Sequence, residues 1–137
     1  MAATLLCCVN GSAHARRAIE LATDLARGLG HDLVFLIVNQ TRPASGYPPL
    51  RTMTEEKARE ILDIAMRYAH THGVSEVRPA LVEDKDVAAA ILRFADDRKV
   101  DHIVLGTGNP PFIGRLLLGS VSEAVVTQAR CSVTVAR

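Results

Sequence analysis

At 137 residues the chain is one domain, long enough to bury a core without disulfides or a structural metal. A hydrophobic share of 48% with few aromatics excludes a disordered chain and suits a compact α/β protein. The formal net charge is +1 and no run of Lys or Arg occurs, so neither a nucleic-acid nor a membrane-surface footprint is indicated. The apolar start at 5–9 lacks a basic segment before it and is cut by Asn10, which fits a first strand better than a signal peptide. No stretch is long enough to span a bilayer, and the expected location is the cytoplasm.

Residues 4–10 form an apolar run suited to a central parallel strand, buried on both sides. Asn10-Gly11-Ser12 turns the chain, and Ser12 can N-cap the helix that follows. That helix puts Ala15, Ala18, Ile19, Ala22, Leu25, Ala26 and Leu29 on one face, with Arg16, Arg17, Glu20 and Arg27 largely opposite, and stops at Gly30. A second buried strand covers 32–39. Residues 40–52 are rich in Pro and Gly, carry Arg42, Tyr47 and Arg51, and show no period, so they are expected as a surface loop of the length that often acts as a lid.

Thr54 caps a second helix whose Ala58, Ile61, Leu62, Ala65 and Ala69 face inward, ending at Gly73, with Glu55 and Arg59 spaced to pair. The third strand, 76–82, contains Pro79, which cannot donate to a ladder and so places the strand at an edge. Asp86 opens helix three, with Val87, Ala90, Ile91, Phe94 and Ala95 inward, and the charged segment 96–99 ends it. A fourth strand at 102–106, a glycine-rich loop, a fourth helix over 121–129 and a fifth strand at 132–136 complete the chain. Five strands joined by crossover helices imply a parallel sheet with helices on both faces. With strand three at an edge, the order 3-2-1-4-5 fits, and ligands of such sheets bind where strands one and four lie side by side.

Two turns meet at that point: Asn10-Gly11-Ser12 after strand one and the stretch 106–122 after strand four. A glycine-rich loop between strand and helix aims backbone N–H groups and the positive helix end at whatever sits above it, in outline a phosphate cradle. The spacing is neither the dinucleotide Gly-x-Gly-x-x-Gly nor a P-loop, since no Lys follows the glycines. Gly106, Gly108, Asn109, Gly119, Ser120, Val121 and Ser122 are the candidate N–H or hydroxyl donors to phosphates, and Arg115 is the nearest candidate cation. Each has a plainer role as well. Ser120 and Glu123 have the spacing of a capping box, Asn10-Gly11 is a turn dipeptide, and Arg115 would serve as an ordinary solvated loop residue.

Other chemistry finds little support. Cys7 and Cys8 are adjacent in a strand and point to opposite faces, Cys131 stands alone, and no Cys-x-x-Cys occurs, so three reduced, mostly buried thiols are expected. The five histidines have no neighbours at ligand spacing, and no metal site is assigned. No general base is evident beside the loop, and Ser12 with His14 lacks the context of a nucleophile elbow.

The strand-Asn10-Gly11-Ser12-helix start, the segments 86–91 and 103–106, and above all Leu116-Leu117-Leu118-Gly119-Ser120-Val121-Ser122-Glu123 resemble the universal stress protein family over essentially the whole chain. The resemblance implies a Rossmann-like three-layer sandwich of the adenine nucleotide alpha hydrolase type. In members that bind ATP, the family pattern is Gly, two residues, Gly, nine residues, Gly, then Ser or Thr. Laid on this chain it falls on Gly106, Asn109, Gly119 and Ser120, with Asn109 the departure and Gly108 one place early. Asn is the residue other than Gly that best tolerates a left-handed backbone, so the turn can survive. Asn10 stands where nucleotide-binding relatives commonly carry Asp, exchanging an acceptor-only group for a mixed donor and acceptor, and Lys85 stands where they often have Gly.

By the same resemblance, the backbone of Cys8, Val9 and Ile37 would line an adenine and Asn10 would touch the nucleoside. The implied cofactor is ATP or AMP, with or without Mg, in a cytoplasmic stress-response module whose ATP hydrolysis, if any, is slow. Family members usually form homodimers through the last strand, which is an edge here. Asn10 and Asn109 also keep open an alternative, a nucleotide-independent dimeric stress protein acting through protein contacts.

Overall fold

The computed structural model describes residues 2–107 and 118–137. In chain order these form β1 (Thr4–Cys8), α1 (Ala13–Leu29), β2 (Asp32–Ala44), β3 (Tyr47–Arg51), α2 (Glu55–Thr71), β4 (Val77–Asp84), α3 (Val87–Asp97), β5 (His102–Gly106), α4 (Ser120–Gln128) and β6 (Ser132–Ala136). Five of the strands run parallel in the order β4-β2-β1-β5-β6, the arrangement expected for a sheet whose third crossover strand sits at an edge. Pro79 lies opposite Phe35 in β4, which pairs with β2 alone among the described strands, so its missing N–H faces no second ladder.

Side-chain alternation divides the core into two layers. Leu5, Cys7, Phe35, Ile37 and Val104 pack with Ala18, Ala22 and Ala26 of α1 and with Ala58, Leu62 and Ala65 of α2. Leu6, Leu36, Ile103 and Leu105 pack on the other face with Ile91 and Phe94 of α3 and Val125 of α4. Each fully buried Leu, Ile or Phe contributes about 1.5–3 kcal/mol, so both layers are needed to hold a domain of this size. The alanine stripe of α1 lets that helix lie close to the sheet, and it ends where Gly30 takes the left-handed conformation at φ 70°. Leu29, placed by periodicity on the inward face, is 55% exposed. It is the last residue of the helix, and a period assigns a side without saying whether the sheet still lies beneath it.

The segment 40–52, expected as a loop, is instead a hairpin. β2 runs on to Ala44 and pairs antiparallel with β3 through Thr41↔Arg51, Arg42↔Leu50 and Ala44↔Tyr47, so the fold has six strands. The register shifts between Arg42 and Ala44, setting Pro43 against Pro48 and Pro49 in a bulge. Proline is tolerated in such a place because a bulged residue owes no N–H to the ladder. Its prolines therefore hid the ribbon rather than prevented it. Residues 108–117, with most of the glycine-rich loop including Gly108, Asn109 and Arg115, lie outside the described residues.

Candidate functional site

A cleft of about 350 Å³ opens above the carboxyl ends of β2, β1 and β5. β1 and its turn contribute Cys8, Val9, Asn10 and Ser12, and β2 contributes Leu36, Val38 and Gln40. Thr52 and Met53, returning from the hairpin, close one side with Val87 and Ile91 of α3. Leu105, Gly106 and the start of α4, from Gly119 to Ser122, close the other. One end is therefore apolar, with Leu36, Val38, Met53, Val87 and Ile91, and the other is a helix start.

That helix start is open. Gly119 is the N-cap residue, and no side chain among the described residues caps α4. The first intrahelical bond runs from the N–H of Glu123 to the carbonyl of Gly119, at 2.9 Å, so the N–H groups of Ser120, Val121 and Ser122 precede it. They carry the positive end of the helix dipole. The capping box expected from Ser120 and Glu123 does not form, because the helix begins one residue earlier than that box requires, leaving Ser120 inside its first turn. Ser122 differs from its expected role in one respect. Its hydroxyl donates to the Gly106 carbonyl at 2.7 Å and is nearly buried, so its proton ties β5 to α4, while its backbone N–H keeps the position of a donor.

The early turn is built by Asn10, whose Oδ1 accepts from the backbone N–H of Ser12 at 2.9 Å. This leaves the Nδ2 donors as the free end of the amide. Ser12 occupies the N-cap position of α1, yet its side chain makes no capping bond, so this helix start is open as well. Cys8 lines the cleft with a thiol that burial pushes up to about 12. Burial, reinforced by Cys8, also holds Cys7 well above the ordinary thiol range on the opposite face of the sheet. Neither is a thiolate at neutral pH.

Among the described lining residues there is no carboxylate, imidazole, ammonium or guanidinium group. Such a surface can hold a flat apolar body at one end and an anion at the other, and it offers no side chain for general acid–base work. Among the described residues no group of His, Cys, Asp or Glu could hold a metal ion, and no helix is long and apolar enough to cross a membrane.

Of the residues singled out from sequence, Cys8, Val9, Asn10, Gly106, Gly119, Ser120, Val121 and Ser122 come together around this cleft. Ile37 does not line it. Its side chain is 1% exposed in the core beneath α1 and α2, and the neighbours that alternate with it, Leu36 and Val38, face the cleft instead. The residues sequence reasoning missed are mostly those of the apolar end. Leu36 and Val38 are reachable from strand alternation, whereas Thr52 and Met53 lie at and just beyond the end of the 40–52 segment, whose hairpin gives no period in the sequence.

The model of the universal stress protein family matches residues 1–137. A universal stress protein of Thermus aquaticus is 33% identical over 140 residues, covering 98% of this chain and 98% of that protein. A putative universal stress protein of Staphylococcus haemolyticus is 31% identical over 97% of this chain and 83% of its own length. Among solved structures, a universal stress protein family member from Burkholderia pseudomallei superposes with a TM-score of 0.77 at 30% identity, covering 97% of this chain and 94% of that one. A universal stress protein in complex with cAMP superposes with a TM-score of 0.77 at 23% identity, covering 99% and 97% of the two chains. The Archaeoglobus fulgidus universal stress protein in complex with dAMP gives 0.74 at 24% identity, with 98% of each chain covered. With its doubly wound sheet and a family match from end to end, this chain belongs to the universal stress protein family.

Proposed function

We propose that the cleft binds an adenine nucleotide, ATP or AMP, and that the chain works in the stress response as a regulatory module. The base lies in the apolar end against Leu36, Val38, Met53, Val87 and Ile91, and the phosphate meets the N–H groups of Ser120, Val121 and Ser122. The observation that carries this reading is that one cleft is lined both by the open start of α4 and by the apolar side chains of Leu36, Val38, Met53, Val87 and Ile91. Support also comes from the cAMP and dAMP complexes of universal stress proteins of the same fold. Gly106, Gly108, Asn109 and Arg115 complete the proposed phosphate end, and Mg would accompany a triphosphate. Isothermal titration with ATP, ADP and AMP tests the reading: saturable heat is expected, and no heat with any of them at millimolar concentration removes it.

The described lining offers no general base, so turnover of a bound nucleotide is expected to be slow. Fast Mg-dependent hydrolysis in a steady-state assay would contradict this. β6 pairs with β5 and with no other described strand, leaving an edge of unpaired N–H and C=O groups that a second copy would satisfy as a homodimer. Sedimentation at micromolar concentration should give a dimer, and a monomer would refute that part of the proposal. A second reading, a dimer that works through protein contacts without nucleotide, is favoured by Asn10, whose carbonyl is already engaged by Ser12. A silent titration with a dimeric protein would select it.

A further inference from the structure

Asn39 is the most thoroughly buried polar group near the cleft, at 2% exposure, and the binding reading has given it no role. It stands where β2 changes partners. Asn39 and Gln40 are the last residues paired with β4, and Thr41 is the first paired with β3. At such an exchange the returning strand runs out of ladder. The N–H of Thr52 still reaches the carbonyl of Gln40, at 3.0 Å. The next residue, Met53, is held by a side chain: Asn39 Nδ2 donates to its carbonyl at 2.7 Å, and Asn39 Oδ1 accepts from its N–H at 3.2 Å. Oδ1 also accepts from the Thr52 hydroxyl, at 3.1 Å. The carboxamide thus continues the ladder for one more residue, pairing with Met53 as a peptide group would.

What it holds is the wall of the cleft. Thr52 and Met53 both line the apolar end, opposite the start of α4, while Asn39 itself does not line it. We propose that Asn39 is a positioning residue for the base-binding end of the cleft, keeping Met53 in place before the ligand arrives. The inference rests on the nucleotide reading above and adds the determinant of one half of it. Without the latch, binding must order the 52–53 segment as it occurs, and fixing one residue's backbone on binding weakens affinity by about tenfold. Because the phosphate end is untouched, adenosine and AMP should lose affinity by the same factor.

The test measures Kd for adenosine and for AMP in the wild type, in Asn39→Ala and in Asn39→Asp, well below the melting temperature of each. Asn39→Ala removes all three bonds, and about tenfold weaker binding of both ligands is expected. Asn39→Asp keeps the acceptor toward the Met53 N–H but sets a second carboxylate oxygen against the Met53 carbonyl in a buried place, so a loss at least as large, in the same equal ratio, is expected. Affinities unchanged in folded variants would reduce Asn39 to a stabilising residue and overturn the proposal, as would a loss confined to AMP. Hydrogen exchange in the wild type without ligand is the measurement that needs no variant: the Met53 amide, held by Asn39 Oδ1, should already exchange as slowly as the Thr52 amide in the ladder, and exchange as fast as that of an exposed amide overturns the proposal. Wild type that binds neither ligand removes the nucleotide reading and this one together, whereas wild type that binds both and variants that bind equally well remove this one alone.

Discussion

Two pairs of helix starts in this molecule are finished in opposite ways. α2 and α3 close their own ends: Thr54 Oγ1 accepts from the N–H of Lys57 at 3.1 Å, with Glu55 and Glu56 in the first turn, and Asp86 Oδ1 accepts from the N–H of Ala89 at 3.0 Å. α1 and α4, which begin beside the carboxyl ends of β1 and β5, carry no side-chain cap among the described residues, although serine is at hand in both places. A cap stabilises a helix by about 1 kcal/mol, so leaving two of them unmade is a cost the fold carries. Where a helix begins away from the switch point, the chain satisfies the orphan N–H groups itself. Although Met53 and Val87 bring α2 and α3 to the cleft, only the helix starts beside β1 and β5 have first-turn N–H groups with no side-chain cap among the described residues.

The comparison breaks most readily by exchanging the two kinds of end. Gly119 has extended φ and ψ of −65° and 161°, which any residue can adopt, so Gly119→Asp would cap α4 with a carboxylate. The expected result is at least a ~10-fold loss of AMP affinity by calorimetry, from repulsion and from occupied donors, with adenosine little affected. Smaller effects should appear in urea unfolding. Thr54→Ala and Asp86→Ala should each cost about 1 kcal/mol, whereas Ser12→Ala and Ser120→Ala should stay within about 0.5 kcal/mol because those hydroxyls cap nothing. Equal losses at all four positions would erase the distinction between the two pairs.

The smallest expected effect concerns acid. Asp84 accepts from the backbone N–H of Asp86 at 2.9 Å and from Arg93 at 3.2 Å, and these bonds hold its carboxyl below the usual range. A depressed folded-state pKa favours the native state above the unfolded value, about 3.9, and that contribution disappears as pH falls through the lower native value. Asp84→Asn should therefore lower stability near neutrality, where the contribution is fully present, and flatten the acid limb below about pH 4, so that the two proteins converge in acid. A steeper acid limb would reverse the assignment.

Much of the fold was legible because buried parallel strands and amphipathic helices announce themselves in composition and period: the apolar runs of β1, β2 and β5, the alanine stripe of α1, the caps at Thr54 and Asp86, and Pro79 as the mark of an edge. The hairpin was not, because its three prolines fall together in a bulge where the usual prohibition does not apply. The polar end of the cleft was legible from the Gly119–Ser122 segment that follows β5. The apolar end depends on the outer part of β2 and on the hairpin's return to Met53, which the misread segment concealed. Asn39 had no signal of its own. It is the last residue of the expected strand 32–39, and only the partner exchange in β2 gives its amide something to replace.

The claim on which the account depends is that the uncapped N–H groups at the switch point are the ones a phosphate engages. A backbone amide NMR titration with AMP, with adenosine as reference, tests it residue by residue. The account predicts that the phosphate-dependent shifts are largest at Ser120, Val121 and Ser122 and absent at Lys57 and Ala89 in the capped helices. Shifts centred on the capped starts, or AMP shifts identical to those of adenosine throughout α4, would contradict it.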